Sequence, residues 1–306
     1  MSRGGGGGTS LPSRSVCAAS AGVARAQSAT TSANARTASM RSRLSTVPAI
    51  LFVNVSRYVL DHVVVGVHDL PRATEDWRNL GLVATDGGSH PKRGTRNAIV
   101  RFPDQSFLEL MGVADREKLG TTAPAVLEML EHHPDGAINW ALRTDDVTTA
   151  HDELARKRLP VGAVRDGLGQ RDSGKIARWR MFQVDEPGFP FVLQYAGPPT
   201  ADPPEDGLPV RGLAAAIVQA ISADALARRL AAAFDAELDG GRVHFSGGEA
   251  LVVDEPREHP GVVGVELLVA DEQLAIAQLR SRDVPAADGW IRDRRLHGLR
   301  VRFVVE

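Results

Sequence analysis

The sequence predicts an α+β protein of paired βαβββ modules, arranged as two tandem domains with the second degenerate. Three observations predict it. Apolar strands followed by capped helices start four times, near Leu60, Ile138, Gly212 and Gly261, which is an internal repeat. The first two copies each close with a further strand, Phe107-Leu108-Glu109-Leu110 and Phe191-Val192-Leu193-Gln194-Tyr195. A proline-rich run, Gly197 to Pro204, then separates the first pair of copies from the second.

The elements follow in chain order. Residues 1–57 read as a disordered leader, with a glycine run at Gly4–Gly8 and otherwise mostly Ser, Ala, Thr and Arg. Residues 1–60 hold seven arginines and no acidic residue. That composition suits an organellar transit peptide, and the reading favoured over it is a start codon set too far upstream. From Leu60 an apolar strand leads to Asp69, which can cap a helix through Pro71, Trp77 and Leu80 that Gly81 ends. The segment Gly87–Asn97 reads either as a glycine-bearing lid or as an ordinary strand connection. Ala98–Phe102 and Ser106–Val113 form a hairpin around Pro103-Asp104-Gln105, and a short helix follows over Ala123–His132. The second copy runs from Ile138 through a helix capped by Asp146 and stopped by Pro160 to a hairpin around Asp185–Gly188. Ser222 and Asp271 are the expected caps of the third and fourth copies.

The first copy places His62 early in its first strand and Glu109 in its last. Polar groups inside apolar strands are costly unless partnered. Strict alternation puts Leu60, His62, Val64 and Gly66 on one face, and Phe107, Glu109 and Met111 on one face. Val63, Val65, Val67, Leu108 and Leu110 then seat the helices, so His62 and Glu109 point away from the helical layer.

Leu60-Asp61-His62, the segment from Gly87 to Ala98, and Phe107-Leu108-Glu109-Leu110 resemble the vicinal oxygen chelate superfamily, most closely its glyoxalase-like branch. The resemblance covers residues 59 to about 197. It implies the glyoxalase/bleomycin-resistance-like fold, with domains at 58–197 and 210–306 joined by a linker at 198–209. It also implies a divalent ion held by the first and last strands of both modules, with His62, Glu109, Asn139 and Gln194 as the metal positions. Asn139 and Gln194 depart from the usual His or Glu. Two neutral oxygens beside one imidazole and one carboxylate suit Mn²⁺, Mg²⁺ or Fe²⁺ better than Zn²⁺.

The function so implied is a metal-assisted enzyme acting on a small oxygen-bearing molecule, a lyase, isomerase or dioxygenase, with Glu109 as catalytic base. The competing reading is a metal-free protein of the same fold that binds or sequesters a small molecule. His90, Thr95, Asn97, Phe107, Met111, Trp140 and Arg180 are the expected pocket residues. Structural alternatives stand beside these: a core histidine at 62, a buried ion pair at Glu109, a solvated edge at Arg180. The third and fourth copies lack the ligands, since their first strands read Gly212-Leu213-Ala214-Ala215-Ala216 and Val265-Glu266-Leu267. A structural or homodimer-forming role is expected for them.

The expected partner is a small molecule. The acidic body, 29 basic against 38 acidic residues over 61–306, disfavours nucleic acid. No run reaches the ~18 apolar residues of a membrane span. The lone cysteine, Cys17, excludes an intramolecular disulfide and a cysteine zinc cluster, and fits a cytoplasmic location, or an organelle if the leader is a transit peptide.

Overall fold

A computed structural model describes residues 56–197, 206–255 and 260–305. The leader, apart from its last two residues, and most of the proline-rich linker lie outside the described residues. The first half runs β1 (Val59–Gly66), α1 (Leu70–Leu80), β2 (Thr85–His90), β3 (Thr95–Arg101), β4 (Phe107–Val113), α2 (Arg116–Thr122), α3 (Pro124–His132), β5 (Gly136–Arg143), α4 (Val147–Arg156), β6 (Arg165–Gln170), β7 (Ile176–Phe182) and β8 (Phe191–Tyr195). Its strands close a barrel in the order β1-β4-β3-β2-β6-β7-β8-β5. The second half, β9 (Val210–Ala220), α5 (Ala223–Phe234), β10 (Glu237–Asp239), β11 (Arg242–His244), β12 (Glu249–Asp254), β13 (Gly261–Val269), α6 (Glu272–Arg280), β14 (Ala286–Ala287), β15 (Trp290–Ile291) and β16 (Arg300–Val304), forms one open eight-stranded sheet. Strand, helix and three strands therefore recur four times, as the repeat predicts.

Local chemistry explains the helix limits. The Asp69 carboxylate accepts from the Arg72 N–H, Pro71 occupies the first turn, and Gly81 ends α1 at φ 88°, where a side chain would be strained. Asp146 caps α4 through the N–H groups of Thr148 and Thr149. Ser222 stands at the N-cap of α5 but its side chain makes no capping bond. Asp254 Oδ1 takes the Ala223 N–H instead, at 2.7 Å. The segment Gly87–Asn97 is no lid: it is the β2–β3 hairpin, whose turn is pinned where Arg93 N–H and Gly94 N–H both reach the His90 carbonyl. The short helix expected over Ala123–His132 is α3, and α2 precedes it.

One departure from alternation shapes everything that follows. Along the β1–β5 ladder Leu60 faces Leu142 and His62 faces Ala141, so Asp61 is an extra residue, a β-bulge. Leu60 consequently packs in the outer core with Val63 and Val65, on the opposite face from His62. Strict alternation had put Leu60 and His62 together.

The two sheets share a core. Tyr58 meets Phe234 at 5.0 Å between ring centres, Phe189 meets Phe234 at 6.1 Å, and Trp140 meets Phe245 at 6.2 Å. The backbone joins them too, with Leu60 N–H on the Gly247 carbonyl at 2.7 Å and Leu213 N–H on Ser106 Oγ at 2.9 Å. Glu266, which reads as isolated in the sequence, is buried and held by Arg242 at 2.8 and 3.1 Å and by Arg302. No helix among the described residues is long and apolar enough to cross a membrane.

Candidate functional site

The barrel encloses a cavity of about 180 Å³. Its walls are mostly apolar, with Val64, Ile99, Phe107, Met111, Trp179 and Phe191 prominent, and Leu119, Ala123, Val126 and Met129 of the α2–α3 segment also border it. The polar lining is concentrated on β1, β3 and β4, because alternation along β3 turns Thr95, Asn97, Ile99 and Arg101 inward together.

His62 is the centre of that polar cluster. Its ring stacks on Phe107 at 4.3 Å with planes 15° apart, and Phe191 meets its edge at 5.3 Å. The bulge brings Asp61 to the same side, fully buried, with Oδ2 2.7 Å from His62 Nδ1. The same Oδ2 accepts from the Tyr195 hydroxyl at 2.8 Å, and Oδ1 accepts from Arg143 Nη1 at 3.2 Å. Burial first, and then the Asp61 charge, push the Tyr195 phenol well above its usual range, so it remains a donor. Across the cavity wall, Glu109 Oε2 lies 3.5 Å from His62 Nε2, and Glu109 Oε1 accepts from Asn97 Nδ2 at 2.7 Å. Nδ1–H is thus committed to Asp61, and Nε2 is the ring atom that faces Glu109.

A second pair lies beside the first. His90 Nδ1 and Thr95 Oγ1 are 2.8 Å apart, and burial holds the His90 imidazole below its usual pKa, which keeps it neutral. Asn97 Oδ1 is buried without a hydrogen-bond partner. A Cβ at Gly87 would lie 2.3 Å from that oxygen, so only glycine lets the amide turn this way.

Of the residues expected from the sequence, His62, His90, Thr95, Asn97, Phe107, Glu109, Met111 and Asn139 line the cavity. Trp140, Arg180 and Gln194 do not. Trp140 follows Asn139 on the same strand and so faces outward, with its indole N–H on the Gly188 carbonyl at 3.1 Å. Arg180 lies on the outer face of β7, where it donates to Thr148 Oγ1 at 3.1 Å, while its neighbours Trp179 and Met181 point inward. Gln194 belongs to the start of α4: its Oε1 accepts the Val147 N–H at 3.2 Å and its amide donates to the Asp145 carbonyl. Asp61 and Tyr195 are the functional residues that sequence reasoning missed. Period-2 alternation hides Asp61, and reading the last strand by its polar residue rather than by register hides Tyr195.

Register also bears on the expected metal positions. Val64 pairs with Glu109, and Ala141, which precedes its helix cap by the same five residues as Val64, pairs with Phe191. The module-two counterpart of Glu109 is therefore Phe191. Asn139 Oδ1 accepts the Trp140 N–H at 2.9 Å. Two strong donors remain, His62 and Glu109, and among the described residues no group of three or more His, Cys, Asp or Glu is placed to hold a metal ion. This donor set does not fit a resident divalent ion of the kind the resemblance implies.

Comparison with known proteins agrees with the fold. The family model described as "Glyoxalase-like domain" matches residues 60–234. The chain belongs to that family. No curated protein matches this sequence. A hypothetical protein from Staphylococcus aureus is similar in structure, with a TM-score of 0.61 at 16% identity over 81% of this chain and 100% of that one. So are a mutant of 4-hydroxymandelate synthase from Streptomyces coelicolor (TM-score 0.54, 15% identity) and the 2,3-dioxygenase LapB from Pseudomonas sp. KL28 (TM-score 0.53, 12% identity). Each covers 82% of this chain and 93% of its own. At such identities the likeness is one of fold.

Proposed function

We propose that the barrel of this glyoxalase-like protein binds a small, largely apolar molecule and acts on one polar group of it through His62 and Glu109, without a resident divalent ion. The observation that carries this reading is Phe191 in the register position opposite Glu109, packed on the edge of His62. Asp61 orients the imidazole, Asn97 fixes one carboxylate oxygen, and the other faces Nε2. Glu109 is then the base and His62 its proton partner, in a cavity whose walls are mostly apolar. In this reading the second half is a scaffold that completes the barrel's outer core.

The metal-assisted reading has one observation on its side. A carboxylate on the far ring nitrogen, as Asp61 is on His62, also orients histidines that ligate metals. Calorimetric titration of chelator-treated protein with Mn²⁺ separates the two. The proposal expects no saturable binding in the micromolar range. Binding that disappears in His62→Ala would replace it with an ion on His62 and Glu109.

A further inference from the structure

Three arginines border the cavity, and two of them, Arg93 and Arg171, have no side-chain hydrogen bond or ion pair among the described residues. Arg101 donates from Nη1 to the Gln105 carbonyl at 3.0 Å and lies over the Phe107 ring at 4.7 Å. Arg171 sits beyond β6 on the turn to β7. Arg93 is different. It occupies the β2–β3 turn, half-buried, with its guanidinium on the cavity. Its backbone is anchored, N–H to the His90 carbonyl at 2.8 Å and carbonyl to Thr122 Oγ1 at 3.1 Å, so the side chain is presented from a fixed base. No hydrogen bond or ion pair engages its guanidinium among the described residues. The nearest acidic influence is Glu109, whose Oε1 is taken by Asn97 and whose Oε2 faces His62.

The Arg93 guanidinium offers the cavity donors that no protein group takes, and a carboxylate is the group that matches it two bonds at a time. Burial lowers the Arg93 pKa, the mark of a charge facing little water. Arg93, His90, His62 and Glu109 all line this one cavity.

We infer that the ligand of this cavity is an apolar or aromatic carboxylic acid whose carboxylate pairs with Arg93. The inference rests on the cavity-binding reading above and deepens it. An apolar body lies along Phe107, Met111 and Trp179, and the anionic end fixes which atom meets His62 and Glu109.

The test compares 2-naphthoate with its neutral near-isostere 2-naphthamide by calorimetric titration of the full chain. Wild type should bind the naphthoate at least about tenfold more tightly, the scale of one charge-assisted pair. Arg93→Gln should bring the two within about threefold, and Arg93→Lys should keep part of the preference, because an ammonium offers charge without the fork. Arg180→Gln, on the outer face, should leave the preference intact. Equal binding of both compounds to wild type, or a preference that survives Arg93→Gln, overturns the carboxylate assignment while the cavity reading stands. If neither compound binds, the cavity reading falls with it. Should Arg93→Gln fail to fold, the wild-type ratio alone still decides for or against an anionic ligand.

Discussion

Replacing Asp61 by Asn tests the polar cluster at its anchor. The wild-type carboxylate serves three donors, Tyr195 Oη at 2.8 Å, His62 Nδ1 at 2.7 Å and Arg143 Nη1 at 3.2 Å. An asparagine has one oxygen for them and turns an N–H₂ toward whichever donor it abandons. The cheapest arrangement keeps the carbonyl on Tyr195 and His62 and releases Arg143, whose side chain is 27% exposed and can reach water. Breaking a buried pair costs about 3–5 kcal/mol, and the escape of Arg143 to solvent places this case near the lower end, roughly 3 kcal/mol. At ~2–4 °C per kcal/mol for a unit of this size, the thermal midpoint should fall by about 6–12 °C. Tyr195→Phe removes one hydrogen bond to the same carboxylate and should cost about 1–2 kcal/mol. Since both act on the side chain of residue 61, the double variant should fall short of the sum by at least ~0.5 kcal/mol. The assay is urea unfolding followed by circular dichroism, with scanning calorimetry for the midpoint. An Asp61→Asn protein within ~0.5 kcal/mol of wild type, or strictly additive losses, would mean the three donors do not converge on Asp61, and the orientation of His62 would need another cause.

Three further outcomes are expected. Phe234→Ala, in the second half but against Tyr58 and Phe189 of the first, should cost about 3–5 kcal/mol and leave a single cooperative transition; two separable transitions would contradict a shared core. Asn139→His with Phe191→Glu should create calorimetrically measurable Ni²⁺ and Mn²⁺ binding, whereas Asn139→His with Gln194→Glu should create none and should loosen the start of α4; the opposite ranking would show that the register assignment is misplaced. The Asp135 carboxylate holds His68 above the ordinary imidazole value of 6.5, so this contact stabilises the fold at pH 5–6 and its contribution fades as pH rises through the raised His68 value. The midpoint difference between wild type and Asp135→Asn, measured by scanning calorimetry from pH 5 to 9, should therefore shrink on the alkaline side, and a difference that stays flat would remove His68 from the account.

The pairing of His62 with Glu109 was legible because both obey alternation from apolar neighbours, and the two end up 3.5 Å apart. The helix caps were legible for the same local reason: Asp69, Asp146 and Asp271 each stand before an amphipathic run and each accepts a backbone N–H. What failed was everything that depends on counting through an irregularity or across a ladder. Asn139 and Trp140 are sequence neighbours and cannot both face one cavity, so assigning both to it was already a conflict of period. Gln194 was chosen because it is polar, yet the ladder aligns Phe191 with Glu109, and a ladder register is a long-range fact that no local window contains. The bulge at Asp61 is of the same kind. Only the β1–β5 pairing reveals it, and it is what turns Asp61, read from the sequence only as part of the Leu60-Asp61-His62 motif, into the anchor of the polar cluster.

The shared aromatic core also sets an order of events at the ribosome. Tyr58, Trp140 and Phe189 all emerge by the time the last barrel strand, ending at Tyr195, is made, but the rings that cover them, Phe234 and Phe245, come later, the last of them roughly 50 residues after Tyr195. At ~5–20 residues per second that gap lasts about 3–10 s. Throughout it the barrel carries an uncovered apolar flank, next to the strand that bears His62. A stalled or truncated nascent chain would therefore present a sticky, nearly complete barrel, and this exposure ends only once Phe234 and Phe245 of the second half have been made and have packed.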